Sequence, residues 1–145
     1  MLDEAMTNEN MSHHCTHALV RCMDFRLEKA IEKYLIEQNL VGTIDVISVA
    51  GAAKDLVAHP EGFVATQIDL SKKLHESHTI ILMNHTDCGG YGGRDALESD
   101  EAEHDFHLKE LEKGKQIILA KYPDLTVKKV LAKIKGETVE FEELN

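Results

Sequence analysis

The chain has 145 residues, 43% of them hydrophobic and 29% charged, enough for one domain whose continuous core needs no disulfide or metal staple. A net charge of −10, with Lys and Arg scattered along the chain, excludes the basic stripe of a nucleic-acid binder, and no apolar run is long enough to span a membrane. Three cysteines at separations of seven and 66 residues make no disulfide framework, which points to a reducing, cytoplasmic setting and to metal or catalytic use.

The first ten residues are acidic and polar, without the basic start and apolar stretch of a secretory signal. Residues 1–15 read as an N-terminal arm ahead of a single domain spanning 1–145. The arm ends in a dense cluster, His13, His14, Cys15 and His17. Imidazole and thiolate are both metal ligands, so the cluster is a possible second site, but a histidine-rich run beside an arm reads first as solvated. Residues 18–22 form a short apolar strand, and 27–39 a helix with Leu27, Ala30, Ile31, Tyr34 and Leu35 on one face, closed by Gly42. TIDVISV at 43–49 is β-branched and almost continuously apolar, as expected of a parallel strand covered on both faces.

Ala50, Gly51, Ala52 and Ala53 follow, small residues that let backbone approach a ligand or another subunit, and Pro60 suits the start of a helix over 61–76. A third strand at 79–84 runs into a His, Cys and glycine loop at 85–93, and the charged segment 94–105 reads as a lid or short helix. A long helix over 102–121 places Phe106, Leu111, Ile118 and Leu119 on one face and stops at Tyr122-Pro123. Residues 126–134 alternate as a fourth strand, 135–137 turn, and 138–144 return as an antiparallel edge strand. Glu140, Glu142 and Glu143 on that edge discourage unwanted pairing. The fold class is therefore α/β: a mostly parallel sheet of about four strands plus an antiparallel edge strand, with helices on both faces.

Chemistry concentrates where two strands end. His85 and Cys88 stand three apart at the exit of the third strand, and Cys22, Asp24 and Arg26 follow the first. Loops after the first and third strands meet in the common strand orders, so Cys22 is expected beside His85 and Cys88. Two thiolates and one imidazole fill three corners of a zinc tetrahedron and leave the fourth open, as in a catalytic site. In an extended segment Cys22, Asp24 and Arg26 point the same way. Asp24 would orient a zinc water and accept its proton, held by a bidentate pair with Arg26, or swing onto the metal and shut the site. Backbone N–H groups of Gly89 and Gly90 are candidates for binding a small anion, although the run can also be a tight loop. Asp87 reads as a turn cap. His59, His104 and His107 read as surface residues, and Phe25, Val57 and Phe63 as core packing or an apolar pocket wall.

CMDFR and HTDCGG together resemble the signatures of the β-class carbonic anhydrases, Cys-x-Asp-x-Arg and His-x-x-Cys-Gly, and the small microbial members most of all. The resemblance runs from residue 18 to the carboxyl end. It implies Cys22, His85 and Cys88 as ligands of Zn2+, Asp24 and Arg26 as the catalytic dyad, and reversible hydration of carbon dioxide to bicarbonate by zinc-bound hydroxide. It also implies a homodimer or a higher assembly of dimers. The chain departs from the pattern at Phe25, where the family usually has a small residue, and at Ser48-Val49-Ala50-Gly51-Ala52, where it often reads Arg-Asn-Ala-Gly-Asn. Two other functions fit the same residues: hydrolysis of carbonyl sulfide or carbon disulfide, and a zinc-holding or bicarbonate-sensing module without turnover.

Overall fold

Five strands form one sheet in the computed structural model, which describes residues 12–145. The expected arm over residues 1–11 lies outside the described residues. The strands are β1 (His17–Arg21), β2 (Ile44–Ser48), β3 (Thr79–His85), β4 (Thr126–Lys135) and β5 (Thr138–Leu144), in the order β2-β1-β3-β4-β5. All neighbours are parallel except β4 and β5. Val20 sits opposite Ile47 on one side and Leu82 on the other.

Every residue of β3 is buried although successive side chains point to opposite faces, so both faces of the sheet centre are covered. Leu19, Ile80, Ile81 and Leu82 are among the fully buried side chains, each contributing about 1.5–3 kcal/mol by leaving water. The helices are α1 (Glu28–Glu37), α2 (Ala53–Ala58), α3 (Phe63–His75) and α4 (Asp100–Lys121). Tyr34 of α1 packs on Phe141 of β5 with ring centroids 4.8 Å apart.

Where the chain departs from expectation, the causes are local. β2 is not covered on both faces: it is an edge strand, and Val46 stands 53% exposed. A short helix that was not expected, α2, begins at Ala53, the last of the small residues read as allowing close approach. Its entry bends through Ala52 at φ 51° with no side-chain cap, so no sequence signal marks it. α4 starts earlier than expected, at Asp100, because Ser99 Oγ accepts from Ala102 N at 3.1 Å. Its buried face is Glu103, His107, Glu110, Leu111, Gly114 and Ile118, more polar than the apolar stripe expected, and it places His107 inside the protein instead of on the surface. Phe25 is 83% and Phe63 52% exposed, so neither is core.

This topology fixes the place of the site. β1 hands the chain to β2 on one side, and the return crossover carries it past β1 to β3 on the other. The carboxyl ends of β1 and β3 flank that reversal, where the sheet opens a crevice.

Candidate metal centre

Cys22, one residue past β1, and Cys88, three past the end of β3, bring their sulfurs to 4.0 Å. One ligand atom from each of Cys22, His85 and Cys88 lies within 4.8 Å of the others, and all three residues are buried. Two sulfurs on a tetrahedral zinc at 2.3 Å stand about 3.8 Å apart, so the pair is already near the spacing a cation would impose.

His85 supplies the most telling atom. Its Nδ1 lies 2.7 Å from Thr86 O, and because a carbonyl only accepts, Nδ1 must carry the proton. The lone pair is thereby on Nε2, which is buried without a hydrogen-bond partner among the described residues. A buried acceptor left unpaired is costly, and a cation held jointly with two thiolates removes that cost. Of the two sulfurs, one is prepared as a thiolate and the other donates to it. Cys22 is held far below the usual thiol range, first by the hydrogen bond from Cys88 and with help from the amides of Gly51 and Asp24, against the cost of burial. Cys88 is pushed up, first by its bond to Cys22 and then by burial, while the amides of Gly90 and Tyr91 pull it down. The residues present therefore fit a borderline-soft dication such as zinc.

Asp24 is outside this trio, its Oδ2 being 3.8 Å from His85 Nε2. It is fastened to Arg26 instead: Nε donates to Oδ1 at 3.1 Å and Nη2 to Oδ2 at 2.8 Å. The expected extended run is broken, because residues 25–27 make a 3-10 turn capped by Asp24, whose Oδ1 also accepts from Arg26 N at 2.8 Å. Arg26 reaches Asp24 by folding back over the turn. Its side-chain hydrogen bonds hold the Asp24 carboxyl well down, to about 2.

Asp87, expected as a turn cap, does more. Its Oδ1 accepts from Arg94 N at 2.8 Å, and its Oδ2 and main-chain O accept from Arg26 at 3.0 and 2.9 Å. Arg26 therefore bridges the two loops that carry the candidate ligands. Asp87 N donates to Glu103 Oε2 at 2.7 Å, so the buried end of α4 props the loop between His85 and Cys88. The position of Asp87 inside the His-x-x-Cys motif was a usable clue to this role, whereas nothing in the sequence marks Glu103.

Behind the centre lies a second polar brace. Asn84 Oδ1 accepts from Ala53 N at 3.1 Å, while Nδ2 stands 3.1 Å from His107 Nδ1 and 3.3 Å from Tyr91 OH. Tyr91 OH donates to Glu110 Oε2 at 3.1 Å. Burial lowers His107 to about 4, so it is neutral near pH 7. The brace anchors the glycine turn, a 3-10 segment over Gly89–Tyr91. A Cβ on Gly90 would lie 3.1 Å from Gly51 Cα, so glycine there lets the turn pack on the small-residue segment after β2. A Cβ on Gly89 would meet nothing within 4 Å.

The other expected residues lie away from the centre. His59 is exposed, and His104 is half-buried with Nε2 2.8 Å from Glu142 Oε1. The histidine-rich run separates: His17 Nδ1 turns to Thr16 Oγ1 at 2.6 Å, His14 pairs with Glu76 at 2.9 Å, and Cys15 and His13 turn toward Asp45 and His75. Among the described residues no helix is long and apolar enough to cross a membrane.

Residues 12–141 match the family described as "Putative carbonic anhydrase". An uncharacterized protein of Rickettsia conorii is 26% identical over 148 residues, covering 96% of this chain and 80% of the relative. A second, from Rickettsia bellii, is 30% identical over 125 residues, covering 81% and 76%. Among solved structures, the β-carbonic anhydrase isoform I of Trichomonas vaginalis superposes with a TM-score of 0.65 at 14% identity, covering 94% of this chain and 87% of its own. One of two tetrameric β-carbonic anhydrases of Sordaria macrospora gives 0.63 at 14%, covering 92% and 84%. At these identities the structural likeness concerns the fold.

Proposed function

The chain belongs to the family described as "Putative carbonic anhydrase", and from that premise we propose that it is a zinc lyase that interconverts carbon dioxide and bicarbonate. The observation that carries this reading is the buried, unpartnered His85 Nε2 facing two convergent cysteine sulfurs. Cys22, His85 and Cys88 would hold the metal, which when bound would supply a Lewis acid that lowers the pKa of a water.

The chain's own residues then perform the rest. Asp24, ionised throughout the neutral range, accepts a hydrogen bond from the attacking water and aims its lone pair at the carbon. Arg26 grips both carboxylate oxygens and so would keep Asp24 from ligating the metal. Asp87 fixes Arg26 from the opposite loop. A Cβ on Gly89 would meet nothing within 4 Å, which leaves room beside the glycine turn for bicarbonate, while the Gly90 amide serves the Cys88 sulfur.

Met23 and Phe25 flank Asp24 at 64% and 83% exposure, an apolar rim that a second copy would cover and that would wall the pocket for an apolar gas. We accordingly propose a homodimer or an assembly of dimers, in a reducing cytoplasmic setting that keeps Cys22 and Cys88 as thiols. The test is stopped-flow hydration of carbon dioxide with zinc measured on the same sample. Turnover that scales with zinc content is expected. Zinc without turnover would leave a holding or sensing module, and turnover of carbonyl sulfide alone would reassign the substrate.

A further inference from the structure

A second convergence of ligand atoms lies at the opposite, amino end of the strands, on the order of 20 Å away by strand rise. Cys15 precedes β1, Asp45 is the second residue of β2, and His75 is the last of α3. Cys15 Sγ is 3.6 Å and His75 Nδ1 2.7 Å from the same Asp45 oxygen, Oδ2, and the three ligand atoms lie within 4.8 Å of one another. They line an open cavity of about 300 Å³ together with His13, His14 and Ile44.

We propose that Cys15 Sγ, Asp45 Oδ2 and His75 Nδ1 form a second divalent-cation site, for a borderline-soft ion such as zinc, independent of the centre at Cys22.

Four features support it. First, the spacing suits a tetrahedral ion: a sulfur at 2.3 Å and an oxygen at about 2.1 Å stand about 3.6 Å apart, which is the Cys15–Asp45 separation observed. His75 Nδ1, which donates to that oxygen when no ion is bound, would retreat by about 0.7 Å to reach tetrahedral spacing and would pass its proton to the Nε2 side of the ring. Second, Oδ2 already accepts a short bond from Ser71 Oγ at 2.6 Å besides facing His75. The thiol is left with two long contacts, this one and His17 O at 3.4 Å. Third, His75 has its other nitrogen, Nε2, 3.2 Å from His13 Nε2, the outer partner that orients a metal-binding imidazole. Fourth, the charges close: thiolate, carboxylate and neutral imidazole around a dication sum to zero.

A nucleophilic role for Cys15 fits poorly. Its sulfur contacts the carboxylate and not the imidazole, and burial followed by Asp45 raises its pKa, so the free thiol keeps its proton. Cation binding breaks the Cys15 S–H bond and releases that proton to solvent as the metal–sulfur bond forms, and the His75 ring proton is given up at Nδ1 and taken up at Nε2, which then donates to His13 Nε2. The chain ahead of β1 is already tied to α3 by Cys15 N donating to His75 O at 2.8 Å, and the ion would lock that tie to β2 as well.

Metal stoichiometry after saturation and exhaustive dialysis tests this on the full chain. Wild type is expected to retain two zinc ions per chain. Cys15→Ser and, separately, His75→Gln should each retain one and keep carbon dioxide hydration. Cys22→Ser/Cys88→Ser should also retain one, and with cobalt should show the near-ultraviolet charge transfer of a single thiolate, lost on adding Cys15→Ser. One ion in wild type, none in the Cys22→Ser/Cys88→Ser variant, or a second ion that survives Cys15→Ser would each overturn the site. The catalytic reading is judged separately, by turnover and by the ion lost with Cys22 and Cys88.

Discussion

Removing the Arg26 guanidinium should disable the site without emptying it. In Arg26→Ala the Asp24 carboxylate loses its Nε and Nη2 donors, at 3.1 and 2.8 Å, and Asp87 loses two more bonds. Charge-assisted bonds contribute about 1.5–3 kcal/mol when shielded, and the Arg26 side chain is 35% exposed, which puts each bond at or below the lower limit. Taking about 1–1.5 kcal/mol for each of the two bonds to Asp24 gives about 2–3 kcal/mol of lost orientation, or about 30- to 150-fold in kcat/KM. Charge is not the cause of this loss. Arg26 holds Asp24 at about 2, and an unassisted aspartate at 3.8 is still ionised at pH 7. Arg26→Lys keeps a positive charge but not the planar fork, so it should recover only part of the rate. The assay is stopped-flow hydration with zinc measured on each variant. If Arg26→Ala, at wild-type zinc content, stays within about threefold of wild type, the orienting role of the dyad is wrong.

Three further outcomes follow from the same geometry. Cys22→Ser should fold, as circular dichroism would report, but lose the zinc of the Cys22 centre and all turnover, because a neutral hydroxyl replaces one of two thiolates. His107, buried and lowered from 6.5 to about 4, binds its proton more readily in the unfolded chain, so stability should be full above pH 6.5 and fall as pH drops toward 4. Urea titrations should show up to about 3 kcal/mol of that dependence, and His107→Gln should flatten it. Gly114→Ala places a Cβ 3.0 Å from Leu82 Cδ1 and 3.5 Å from Leu56 Cδ2. Overpacking of about 1–3 kcal/mol should outweigh about 1 kcal/mol of helix propensity, and a thermal melt should fall by about 2–5 °C.

What could be read from the residues was whatever repeats or sits next to its partner in the chain. The apolar runs of β1, β3 and β4 declared themselves by composition, and their alternation with helices implied a parallel sheet. Because such sheets gather ligands at strand exits, placing Cys22 beside His85 and Cys88 needed only the strand order. The features missed have no such short-range signature. β2 looked doubly covered because Ile44, Val46 and Ile47 are apolar, but an edge strand exposes apolar residues wherever another chain or loop can meet them. α4 hid its inner face, since Glu103, His107 and Glu110 are hydrophilic by type and become internal only because Asp87 N, Asn84 and Tyr91 satisfy them from other elements. His13 and His14 are exposed, as a histidine-rich run beside an arm suggests, but the approach of Cys15 to Asp45 and His75 had no local sign, since these lie 30 and 60 residues beyond it and only the crossovers bring them together. Arg26 shows the same logic from the other side. Its guanidinium was expected to meet Asp24 two residues away, and that contact was predictable. Its grip on Asp87 was not, although it ties the Cys22 loop to the His85 and Cys88 loop and so sets how rigidly the three candidate ligands are held.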